Sequence, residues 1–516
     1  MVETVDNPVD DVGRSARSPY PARFRAAEAR GARIGRPLRL LGRVRGVDEA
    51  LLDRIGRAFF EEDDAGAALA TAMRLPAGDP GRVTHAQLRE ALTAPPQGSA
   101  DHEIGRLHGD DREVGPLHRD RSINGPISVQ ETDLGTRSQQ RTDLDGGGQQ
   151  RTDFGAGTPE PLRRFLDEVT AVPSWVDWDL VEAGAAVQRR LGQNAGDVLL
   201  QLSLVGGYRF GGPADLLAAT GALTGGTLRR LVETQEWTVG LYEPGALRPY
   251  GPAWRTTVHV RAMHALVSAS FTSSSRARSL GATSSSTSPS GTSASRANSS
   301  STSPSGTGAS RANSSRSGRR DAGSWDTGRW GLPINQADQA ATLGLFDGAL
   351  IVGCRSLGVR IPPSDSRAVV HLWKWVGHLM GVHPDFLVDD EWARHRINYH
   401  VLRAQAGISD AGPRLAQAVI AAQAERVYPG PAWWQPWRAR FERERLLSML
   451  TVFLGVRSMR ELGLPLRPPW AHAYVLPLNV WRYHLLGRSR WGRECLERWA
   501  RRRNDTTLAS YRPELP

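Results

Sequence analysis

Apolar positions recur at three- and four-residue spacing through most of this chain, and strand-like alternation is missing, so the pattern predicts an all-α fold. From Val47 the run D-E-A-L-L-D-R-I-G-R-A-F-F reads as a helix with Asp48 as its N-cap, and Thr84 is placed to cap a later short one. The segment P-L-R-R-F-L-D-E-V after Glu160 is amphipathic. The segment N-A-G-D-V-L-L-Q-L-S-L-V-G-G-Y is apolar almost all round, which predicts a central, buried helix. Arg230 and Thr234 stand four apart and share one helical face. Val260, His264 and Val267 share another, with Met263 beside them, and that face is apolar except for the one imidazole. An imidazole buried there needs a partner, and a backbone carbonyl, a carboxylate or a metal would each serve. This helix is expected to end near Phe271, where the apolar pattern gives out.

Breaks in the pattern divide the 516 residues. Residues 1–37 are polar, Arg-rich and Pro-containing, and are expected to be a disordered tail. N-terminal helices are expected over 38–95, followed by a low-complexity linker over 96–157 that contains a short echo, Q-Q-R-T-D. The main helical domain is expected over 158–410. It is interrupted at 272–323 by a Ser/Arg-rich insertion carrying the repeat S-P-S-G-T-x-A-S-R-A-N-S-S, which cannot supply a core. A loop of that length can hang from a fold, because closure entropy grows slowly with loop length. A C-terminal helical region rich in tryptophan is expected over 411–503, with a tail at 504–516.

The formal net charge of +11 is compatible with an acidic partner, but arginines are scattered rather than gathered into a recognition helix or finger, so no specific nucleic-acid binding is expected. Two cysteines, Cys354 and Cys495, make neither a redox motif nor a disulfide framework. No export signal and no long uncharged apolar run is visible, so the expected location is cytoplasmic. The Trp- and Arg-rich C-terminal helices leave room for peripheral membrane contact.

Histidine spacing yields weaker candidates. His371 and His378 lie seven apart on one face, and Glu391 precedes His395 by four, but H-E-x-x-H is absent. Asn335, Gln336 and Asp338 are expected to cap a helix and bond across the bundle.

The motifs W-V-D-W, S-L-V-G-G-Y-R-x-G-G-P, R-L-x-x-T, V-R-x-M-H-A-L-V and W-G-L-P-I-N-Q-A-D-Q-A-A-T-L-G-L-F, in that order, resemble the family of latex-clearing rubber oxygenases and fungal MpaB oxygenases. The resemblance covers roughly 158–410. It implies a single large helical domain with a globin-like core around haem b. By motif, His264 matches the iron ligand, so the metal expectation is His264, and Arg230 and Thr234 match the residues that support the haem. A lysine that precedes the threonine in latex-clearing protein is replaced here by Glu233, a candidate base, and Asp215 is a second one. The implied activity is oxygenation, with O2, of an unsaturated hydrophobic substrate, isoprenoid or lipid-like. The alternative is a non-catalytic haem- or lipid-binding helical protein.

Overall fold

The structure, a computed structural model, describes residues 18–93, 157–221, 227–284, 325–405 and 407–511, with the backbone alone over 274–284. The described residues form helices joined by turns, with no strand among them. The fold is all-α, as the apolar spacing predicts. No helix among the described residues is long and apolar enough to cross a membrane.

The largest core is built around two helices packed along their length, Trp178–Leu191 and Pro363–Leu379. Gly184 makes that approach possible: a Cβ there would stand 2.3 Å from the carbonyl oxygen of Ala368. Asp177 caps the first of the pair by accepting the backbone N–H of Asp179 and Leu180. The N–H of Asp177 in turn donates to His371 Nε2 at 2.9 Å, so His371 ties this loop to the second helix. Leu52, Ile55 and Phe59 from the N-terminal helices and Phe165 and Trp254 from later ones fill the same core. The N-terminal helices therefore share one body with the central helices. A second core gathers Leu415, Val419, Leu447 and Leu450 from the C-terminal helices around Val205 and Tyr208.

Several boundaries differ from the sequence reading. The tail expected over 1–37 is corrected from residue 18 on, where helices Glu28–Ile34 and Arg36–Leu41 form. Two arginines hold this segment down. Arg23 donates twice to Asp338, at 3.0 and 2.7 Å, and Arg30 pairs with Glu461 at 2.6 Å. Gly31 permits contact with the Glu391–Ala404 helix, since a Cβ would lie 2.0 Å from the Leu402 oxygen. Helix Pro252–Ser284 runs well past Phe271 into the expected insertion, because serine and alanine sustain a helix that has already been nucleated by packing. Helix Arg490–Ser510 likewise enters the expected tail, anchored by Ser510 and Tyr511 against Arg426. The expected linker at 96–156 and insertion at 285–323 lie outside the described residues.

The segment read as one buried helix is two. After the α-helical Gln193–Val198, the backbone winds as a π-helix over Leu199–Val205. Val198, Gln201, Ser203 and Val205 are buried, whereas Leu199, Leu200, Leu202 and Leu204 are only half-buried, and three of them border a cavity.

Candidate functional site

Two helices carry the residues singled out by motif: Thr227–Gly240 and Pro252–Ser284. A turn of residues 241–251 reverses the chain between them, so they run antiparallel. They are fixed in register by one bond: the indole N–H of Trp237 donates to Thr257 Oγ1 at 3.1 Å. Seven residues before Trp237 is Arg230, and seven residues after Thr257 is His264. Seven residues is two helical turns, about 10 Å of rise. Arg230 therefore shares the helical face of Trp237, and His264 that of Thr257.

Thr257 is fully buried, Val260 and Val267 are half-buried, and Met263, His264 and Arg230 are exposed. The expected buried apolar face is thus corrected. The buried side of this helix carries Trp254, Val258, Arg261 and Ala265 instead, and His264 borders a cleft. The imidazole makes no hydrogen bond among the described residues, which costs little where water can reach it. The protein mass crowded around the cleft disfavours its charged form and lowers its pKa, against an opposing pull from Asp63. Arg230 makes no ion pair or hydrogen bond among the described residues.

The cleft at His264 has a volume of about 270 Å³ and is bordered by Asp63, Arg261, Ile334, Gln339 and Met380. One turn before His264, Arg261 is locked in place. It donates to both oxygens of Asp63, at 2.7 and 2.6 Å, and to Glu168 at 2.7 Å. Asp63 also caps the Asp64–Met73 helix through the N–H of Gly66 at 3.0 Å. The backbone that carries His264 is thus clamped to two other helices.

A second, larger cavity of about 610 Å³ lies on the other side of helix Thr227–Gly240. Thr234 borders it, together with Gln235 and Thr238. The motif residues thus share no single space. His264 borders the smaller cleft and Thr234 the larger cavity, and Arg230 borders neither.

The two candidate bases face neither. Glu233 is exposed and pairs with Arg229 at 2.8 Å, an ordinary i,i+4 surface pair. Asp215 is half-buried, its carboxyl raised by burial, but it borders neither cavity.

Other candidates resolve as structural. Asn335 accepts the N–H of Asp338 at 2.9 Å and donates to that carboxylate at 2.8 Å, and Gln336 donates to the Gly381 carbonyl at 2.8 Å. Glu391 is taken by Arg355 at 2.9 Å. Among the described residues no three His, Cys, Asp or Glu side chains gather to hold a metal ion. A haem iron needs only one protein ligand, so the donors fit in kind: an imidazole and a guanidinium, each without a hydrogen-bond partner among the described residues. Sequence reasoning missed Gln188, Gln201 and Tyr242, which border the larger cavity. A glutamine inside the run V-L-L-Q-L-S-L-V was the one available signal.

An all-helical body with a cleft at His264 and a larger cavity elsewhere is compatible with several classes of protein. Comparison narrows them: residues 311–488 match the family described as ER-bound oxygenase mpaB/B'/rubber oxygenase, catalytic domain. The resemblance carried by the motifs is thus shown over that stretch, which begins after His264 and does not include Arg230 or Thr234. The solved structure of latex clearing protein in the closed state matches with 19% identity and a TM-score of 0.44, over 68% of this chain and 80% of that one. No curated protein matches the chain.

Proposed function

We propose that this protein is a haem b-dependent oxygenase that uses O2 on an unsaturated hydrophobic substrate, isoprenoid or lipid-like. The observation that supports the reading is the bond from Trp237 to Thr257, which ties together the two helices that carry Arg230 and His264, neither of which has a hydrogen-bond partner among the described residues. His264 would hold the haem iron. A neutral imidazole with no competing partner is the form that binds iron. Arg230 would pair with a haem propionate, as a planar donor fork suited to a carboxylate. Haem, when bound, supplies the redox chemistry with O2.

The chain's own residues do the rest. The Asp63–Arg261–Glu168 cluster holds the His264 helix in place from behind. Thr234, on helix Thr227–Gly240, meets the larger cavity. The cavity's leucines supply a dry, apolar space of the kind an alkene requires. Glu233 and Asp215 receive no role, because neither faces either space.

The test is an absorption spectrum of the purified protein, oxidised and reduced, beside His264→Ala. A Soret band that is lost or shifted in the variant supports the assignment. No band in the parent after haem reconstitution overturns it. A band without turnover on any alkene tried would favour the non-catalytic haem-binding alternative.

A further inference from the structure

The 610 Å³ cavity carries features that a purely hydrocarbon ligand does not explain. Its volume lies within the range of about 300–1,000 Å³ usual for small-molecule sites. Leu200, Leu204, Leu217, Leu231 and Leu345 make much of its wall. Among them stand four polar side chains, each at most 5% exposed, that lack partners. Gln188 has neither amide atom bonded, and Gln201 Oε1, Gln405 Oε1 and the Tyr242 hydroxyl are also unpaired. Buried polar atoms are normally satisfied, and several orphans bordering one cavity point to something that belongs there. Burial raises the pKa of Tyr242, so it remains a neutral phenol able to donate.

Charge adds a second, independent indication. Four arginines border the cavity, Arg426, Arg438, Arg445 and Arg503, against two carboxylates, Asp197 and Glu442. Arg445 is taken by both oxygens of Asp197, and Arg438 by Glu442 at 2.6 Å. Arg426 and Arg503 have no carboxylate partner among the described residues. Arg426 is also held ready. Its guanidinium lies 4.8 Å from the ring centre of Tyr428 and 4.1 Å from that of Tyr511. It donates to Gln423 at 3.0 Å and to Ser510 at 3.2 and 2.8 Å, which leaves two of its five N–H groups free.

We propose that this cavity binds a long aliphatic carboxylic acid, its carboxylate at Arg426, its chain among the leucines, and an uncharged oxygen function on that chain at the orphan amides. The positioned, planar guanidinium suits a carboxylate better than a neutral head. As the identity of a substrate, this rests on the oxygenase reading. As a binding site it does not, and the experiment therefore uses neither haem nor turnover.

The haem-free full-length protein is titrated with cis-parinaric acid, a fluorescent unsaturated fatty acid, and the probe is then displaced with oleic acid, methyl oleate or hemin. Saturable binding is expected, with oleic acid displacing the probe at least tenfold more effectively than its methyl ester. Arg426→Gln should weaken probe binding about tenfold. Leu204→Trp, which fills the cavity, should abolish it, and Arg229→Gln should leave it unchanged. If Arg426→Gln or Leu204→Trp fails to fold, the acid-to-ester ratio in the parent still decides. No saturable binding overturns the proposal, as does an ester that competes as well as the acid. Hemin that displaces the probe equally from the parent and from His264→Ala would mean that the cavity is a haem site, which also overturns it. A parent with no Soret band that still binds the probe would refute the oxygenase reading and leave the acid site standing.

Discussion

Trp237 donates its indole N–H to Thr257 at 3.1 Å, and Thr257 hands its own proton to the Ala253 carbonyl at 2.7 Å. This short relay in a buried position ties the helix that carries Arg230 to the one that carries His264 and sets their register. Thr257→Val keeps the side-chain shape and removes the acceptor. The stranded indole N–H should cost about 1–3 kcal/mol, read as a lower urea midpoint with an unchanged slope. Affinity for hemin should fall with it. Thr256→Val, on the exposed side of the same turn, should change stability by no more than about 0.5 kcal/mol. If the two variants behave alike, the relay does not set the register.

Arg394 and Asp347 form an ion pair in which both side chains are fully buried, 2.6 Å apart. Arg394 also donates to the Phe386 carbonyl at 3.0 Å, and Asp347 accepts the N–H of Gly348 at the start of the Gly348–Ser356 helix. The pair therefore fastens three segments. Burial holds the Asp347 carboxyl above its usual range even with the arginine beside it. Arg394→Met should cost about 3–5 kcal/mol, because it leaves a buried carboxyl without its counter-charge. Adding Asp347→Leu should recover part of that loss. A double variant less stable than the single one in chemical denaturation would contradict this account.

The parts of this fold that were legible in the sequence are those set by near neighbours. Asp48 accepts the N–H of Leu51 at 3.0 Å, Thr84 that of Gln87 at 3.2 Å, and Asn335 that of Asp338 at 2.9 Å, each a contact over three residues. The ordered N-terminal segment was illegible because its anchors, Asp338 and Glu461, lie hundreds of residues away from Arg23 and Arg30. The candidate site divides in the same way. Arg230, Thr234 and His264 were legible as a motif, but that Thr234 and His264 border different cavities shows only in the fold. Gln188, Gln201 and Tyr242 come from three segments, and only the fold brings them to one cavity.

The pairing of Arg23 with Asp338 makes the N-terminal segment part of the core. Both ends of the pair are largely sequestered, with side chains 3% and 12% exposed, and the guanidinium lies 4.2 Å from the ring centre of Phe59. Arg23→Ala should cost about 3–5 kcal/mol, since Asp338 would keep only Asn335 as a side-chain donor. Backbone amides over residues 22–34 should then exchange with solvent faster than in the parent, while those of Pro363–Leu379 keep their relative order of protection. Unchanged exchange over 22–34 would mean that Gly31 and Arg30 hold the segment without Arg23.

His395 supplies a pH dependence whose sign can be worked out. It is 1% exposed, and neither ring nitrogen has a hydrogen-bond partner. Burial pushes its pKa down to about 4, helped by the positive charges of Arg355 and Arg394 and opposed by Glu391. In the unfolded chain it titrates near 6.5. Between these values the unfolded state binds a proton that the folded state refuses, so stability rises with pH across this window. The contribution is fully present above about pH 6.5, is lost progressively as pH falls toward 4, and amounts to about 3 kcal/mol at most. His371, His378, His400 and His472 are also shifted down by burial, so the whole protein should lose stability on mild acidification. His395→Phe isolates one share of that loss. Urea midpoints measured from pH 7.5 to pH 4.5 should fall less steeply in the variant than in the parent. Parallel curves would show that His395 is protonated in the folded state without penalty and that its burial is relieved by a partner such as Glu391.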